Sequence, residues 1–190
     1  VNLVLISCVR QKYVVMDMVH HNPGEAMTES KFLDPSFLKK NEYGAKVFFL
    51  FEAAQFGIDW KSFDPSLFPD TTEAGRWVAE KAEIIHKKYD AAKKEDLQVY
   101  CMLDMLVLPS LLVEKHRTEL TNEQGKLDIS KPYTQLCIRE LMKEMFETFP
   151  QLDGLVIRTG ETYLHDAPYY VGNHPVQNGM YDHITLINLL

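Results

Sequence analysis

Apolar runs that end in charge alternate along this chain with segments of helical period, and that alternation predicts an α/β fold. Two further observations narrow it. No glycine-rich phosphate loop follows the first strand, so an open nucleotide-binding sheet loses its main support. Long loops follow the second, third and fourth strands, as at the mouth of a (β/α)8 TIM-type barrel. A full barrel takes roughly 250 residues, so 190 residues holding four units predict its first half.

Asn2 to Ile6 reads as an extra short strand, and residues 1–12 as that strand and a linker; residues 13–190 would be the first four β/α units. Tyr13 to Val19 is the first barrel strand, closed by His20-His21-Asn22-Pro23-Gly24. Asp34-Pro35 supplies an N-cap and first-turn proline for a helix to about Glu42, with Gly44 closing it. Lys46 to Phe51 is the second strand, ending in Glu52, and Ala53 to Pro69 is a long loop. Asp70-Thr-Thr-Glu73 has capping-box spacing and opens a helix to about Lys94, with Val78, Ala82, Ile85 and Tyr89 on one stripe. Leu97 to Leu103, followed by Asp104, is the third strand, and Leu106 to Lys131 a loop. Pro132 starts a helix whose Ile138, Leu141, Met142, Met145, Phe146 and Phe149 repeat at helical spacing. The fourth strand lies in Leu152 to Thr162. A loop from Tyr163 to Tyr181 follows, and Asp182 caps the terminal helix.

Composition excludes several function classes. With 27 acidic against 20 basic residues the net charge is -7, which gives no footprint for nucleic acid. No apolar stretch approaches the roughly 20 residues of a membrane span. Cys8, Cys101 and Cys137 are odd in number and widely spaced, which fits buried thiols better than a disulfide framework or a zinc site. The start without Met and the uncapped apolar end read as a piece of a longer protein, the remaining barrel half coming from missing sequence or another chain.

In a barrel, His20, His21, Asn22, Glu52, Asp104, Arg158, Thr159 and Glu161 come from four successive strand ends and converge on one mouth. Glu161 is the first candidate for chemistry. Beside aromatic side chains its charged form is disfavoured, as a general acid requires. Arg158 offers a planar fork for a carboxylate, its plainer alternative being an ion pair with Asp104 or Glu161. Glu52 and Asp104 are ligand candidates that could equally pair with Arg158. Phe56, Trp60, Phe63, Phe68, Tyr163, Tyr169 and Tyr170 would suit stacking on sugar rings, or would anchor the loops.

The segment Gly154-Leu-Val-Ile-Arg-Thr-Gly-Glu161, with its following loop and Asp182-His183-Ile-Thr-Leu-Ile-Asn-Leu-Leu190, resembles the fourth β/α unit of α-glucuronidase-type glycoside hydrolase barrels. There a strand of the form Gly-hydrophobic-Val-Val-Lys-Ala-x-Ser-Glu ends in the catalytic acid; Arg158 stands where the family has Lys. The resemblance implies hydrolysis of a glycosidic bond in a glycan or uronide with Glu161 as general acid and no cofactor. Around Glu161, His20, His21, Asn22, Glu52, Asp104, Arg158, Thr159 and His165 would contact the carbohydrate. It also implies a periplasmic or secreted bacterial protein. Asp17-Met-Val-His-His-Asn-Pro-Gly-Glu25 looks like the first-strand loop of large sugar-processing barrels of gut-type bacteria. Two rival readings remain: a metal-dependent sugar isomerase or hydrolase using His20, Glu52, Asp104 and Glu161 as ligands, and a non-catalytic carbohydrate-binding barrel.

Overall fold

The structure is a computed structural model, and it describes residues 31–49, 52–160, 162, 164 and 166–190. The predicted strands Asn2 to Ile6 and Tyr13 to Val19 lie outside these residues. What is described is a mixed α/β protein whose main sheet is parallel.

Asp34 caps helix α1 (Pro35–Lys40), accepting the Ser36 N–H at 2.9 Å. The turn after it is closed by Glu42, at φ 64°, rather than by Gly44. The first strand, β1 (Ala45–Phe49), follows. Helix α2 (Glu73–Lys94) crosses to β2 (Gln98–Asp104), and α5 (Pro132–Thr148) crosses from there to β4 (Gly154–Arg158). The three strands lie side by side in chain order, β1 parallel to β2 and β2 parallel to β4. Helical crossovers between neighbouring parallel strands are what the alternation of apolar runs required.

Strand alternation sorts the side chains onto two faces. Phe48, Val99, Cys101 and Leu103 pack with Val78, Ile85, Tyr89 and Ala92 of α2 and with Cys137, Ile138, Leu141 and Met145 of α5 in one core. The intervening positions, Val47, Phe49, Tyr100, Met102, Asp104, Val156 and Arg158, point away from that helical layer.

Several expectations are corrected. The cap of α2 is Thr72, not Asp70: its Oγ1 accepts the Gly75 N–H at 3.0 Å, while Asp70 pairs with Lys61. The first turn of α2 runs so close to the preceding loop that a Cβ on Gly75 would stand 2.1 Å from the Pro69 carbonyl oxygen. Phe146 lies off the buried stripe of α5, at 39% exposure. The loop Leu106 to Lys131 holds strand β3 (Val107–Pro109) and helices α3 (Ser110–Lys115) and α4 (Arg117–Leu120). Within the loop after β4, strand β5 (Tyr170–Gly172) pairs antiparallel with β3. The terminal helix α6 (Met180–Leu189) begins after Gly179, at φ 66°, and Asp182 sits inside its first turn, accepting the N–H groups of Gln177 and Asn178 at 2.7 and 2.6 Å. No helix among the described residues is long and apolar enough to cross a membrane.

Candidate functional site

The described part of the site is built where β1, β2 and β4 end. Parallel pairing sets Asp104, the last residue of β2, directly beside Arg158, the last of β4. Their side chains meet with Arg158 Nε 3.3 Å from Asp104 Oδ1. Asp104 is only 4% exposed, so its charge has little water and the guanidinium compensates it. The same guanidinium lies over the ring of Phe49, its central carbon 5.6 Å from the centroid, so the last described residue of β1 joins the group. A cation over an aromatic face, with a carboxylate beside it, is held in one orientation. Thr159, half-buried, continues the chain from there, and Gly160 is exposed.

Glu52 does not join them. Its carboxylate is bonded to Lys88 of α2, and its backbone oxygen accepts the Tyr89 hydroxyl at 2.9 Å, so the residue is turned to the helical side of the sheet. His20, His21, Asn22, Glu161 and His165 lie outside the described residues. Of the predicted site, then, Asp104 and Arg158 are brought together, Thr159 adjoins them, and Glu52 faces elsewhere.

The loop aromatics are mostly core. Phe56, Trp60, Phe68 and Tyr170 are at most 5% exposed. Tyr170 sits 5.1 Å from Phe56, 5.7 Å from Phe68 and 6.0 Å from Trp77 between ring centroids, an aromatic cluster that fastens β5 and the loop after β1 to α2. Phe63 and Tyr169 are half-buried, and Tyr163 lies outside the described residues. Among the described residues no three His, Cys, Asp or Glu side chains are grouped so as to hold a metal ion. The ligand set proposed from sequence loses Glu52 to Lys88.

Sequence reading missed Phe49, an aromatic residue within the apolar run that forms β1. It also missed Glu144, which occupies the buried stripe of α5 between Leu141 and Met145. A carboxylate on an otherwise apolar stripe was the legible sign. Its carboxyl accepts the Ser62 hydroxyl at 2.5 Å, and burial pushes it above the usual carboxylate range.

No family model, curated protein or solved structure matches this chain.

Proposed function

We propose that this chain is the first half of a β/α-barrel glycoside hydrolase in which Glu161 protonates the glycosidic oxygen. The Asp104–Arg158 pair is the observation that carries the reading. It puts a fixed ion pair at the C-terminal ends of parallel strands, where α/β proteins hold ligands, and Glu161 follows Arg158 by three residues. The chain-order arrangement of β1, β2 and β4 is the strand order a barrel requires, and Val47, Phe49, Met102 and Val156 are apolar as a barrel interior would be. The choice of a carbohydrate substrate rests on the likeness of Gly154 to Glu161 to the glycosidase motif. The second half of the barrel, and with it the partner carboxylate, would come from further sequence or another chain. A spacing of about 5 Å between the two carboxylates would mean retention, and a wider gap inversion.

Hydrolysis of a panel of aryl glycosides and uronides by the full-length parent, wild type beside Glu161→Gln, tests this. A general acid is needed most where the leaving group is poor. The variant should lose activity on such substrates and keep more of it on activated ones. Equal activity on both removes Glu161 from the mechanism.

A further inference from the structure

Asp153-Gly154 leads into β4 and Asn178-Gly179 leads into α6. In such a pair the side-chain Cγ can close a five-membered ring with the backbone nitrogen of the next residue, and glycine has no side chain to hinder the closure. The fold treats the two pairs in opposite ways. Asp153 is fixed at both ends: its N–H donates to the Val99 carbonyl at 2.9 Å, its Oδ2 accepts the Val99 N–H at 2.6 Å, and it pairs with Lys93. Gly154 is a ladder residue of β4 opposite Tyr100, and a Cβ there would stand 2.9 Å from the Tyr100 ring. A backbone held in this way does not turn onto its neighbour's side chain.

Asn178 and Gly179 are both exposed. Gly179 precedes the first turn of α6, with nothing within 4 Å of where a Cβ would stand, and its N–H donates no hydrogen bond among the described residues. The Asn178 amide makes one long contact, Nδ2 to Asp182 Oδ1 at 3.5 Å. The other described asparagines precede residues that carry side chains. Two of them are also tied down: Asn122 Oδ1 accepts the Gln124 and Lys126 N–H groups at 3.0 Å, and Asn173 Oδ1 accepts the Leu127 N–H at 2.7 Å.

We propose that Asn178-Gly179 is a self-modification site, which deamidates in the folded chain with water as co-reactant and thereby loosens the anchor of α6. The Gly179 nitrogen gives its proton to base and attacks Cγ of Asn178. The Cγ–Nδ2 bond breaks, and Nδ2 takes up a proton and leaves as ammonia. Water then adds to either carbonyl of the succinimide, and the ring opens to aspartate or to isoaspartate, whose main chain runs through Cβ and Cγ. Nothing is oxidised or reduced. The consequence falls on Asp182, a buried carboxylate at 3% exposure that holds the start of α6 by accepting the N–H groups of Gln177 and Asn178 at 2.7 and 2.6 Å. Deamidation replaces the donor facing Asp182 Oδ1 by a second carboxylate, and the isoaspartyl product adds a methylene to the backbone beside those two N–H groups. A like charge against a buried acid and a lengthened main chain both work against the anchor.

The test keeps the folded chain, and the same chain in urea, in mildly alkaline buffer and follows ammonia release together with peptide mapping of positions 178 and 153. Residue 178 should convert in the folded chain at a rate within about tenfold of that in urea, as a site outside the cooperative core does. Isoaspartate at 153 should form in urea and be suppressed far more deeply by folding. Asn178→Gln, whose side chain would have to close a six-membered ring, should lose most of the ammonia release. Hydrogen exchange of the aged chain should be faster over α6 and unchanged over α2. No product at 178 from the folded chain, a suppression there as deep as at 153, or ammonia release unaltered in Asn178→Gln overturns the site; unchanged exchange over α6 in the deamidated chain overturns the loosening. Should Asn178→Gln fail to fold, the comparison of positions 178 and 153 in the wild type decides.

Discussion

Asp104 and Glu144 are two carboxyls buried to nearly the same degree, at 4% and 6% exposure, in opposite electrical surroundings. Asp104 is met by a guanidinium at the end of the parallel sheet, whereas Glu144 is met by a hydroxyl and two further acids. Burial alone therefore does not decide what a buried acid does. A compensated one fixes the strand ends beside it, while an uncompensated one makes the stability of its neighbourhood depend on pH.

The largest effect should come from breaking the Asp104–Arg158 pair. Arg158→Met takes the guanidinium away from a buried carboxylate and is expected to cost about 3 kcal/mol, the low end for a broken buried pair because Arg158 keeps some exposure. Urea unfolding measures it. Adding Asp104→Leu to that variant should recover much of the loss, and a double variant no more stable than the single one would mean that the pair is not the unit. Gly57→Ala tests the Glu144 side without touching a charge. Its methyl group meets Phe149 and Ala82, and overpacking of this kind costs about 2 kcal/mol, visible as a lower Tm at every pH. Thr72→Ala strips the side-chain cap from α2 and should cost about 1 kcal/mol by the same assay, with no dependence on either acid.

Glu144→Gln should give the smallest change, and one whose size follows pH. The wild-type carboxyl contributes in full below the ordinary glutamate value and less as pH rises through its raised folded value, whereas the amide does not titrate. The wild type should therefore lead the variant in acid and lose that lead toward neutrality. A gap that widens with pH would mean that the ionised form is the stabilising one.

The main sheet was legible because β1, β2 and β4 are apolar runs ended by polar residues, and α2 and α5 because their apolar residues keep helical spacing over many turns. β3 and β5 were not, since three residues carry no period and the two strands pair across 60 residues of intervening chain. Asp70 and Thr72 both have side chains that can cap a helix, and residue types alone do not choose between them. Within the site, the meeting of Asp104 with Arg158 could be read as one of two alternatives from residue types. The turning of Glu52 toward Lys88 could not, because residue types do not say which side of the sheet a residue beyond the strand faces. The burial of Phe56, Phe68 and Tyr170 likewise depends on β5 coming back over α2.

The thiol of Cys101 accepts the Ala54 N–H at 3.3 Å in the core, and burial pushes it up to about 11; that of Cys137 is pushed up to about 12. Thiol reagents attack the thiolate, so neither residue reacts while the core is closed. Alkylation at these two sulfurs is then a chemical clock for openings of the core, Cys101 timing the contact of β2 with α2 and Cys137 that of α5.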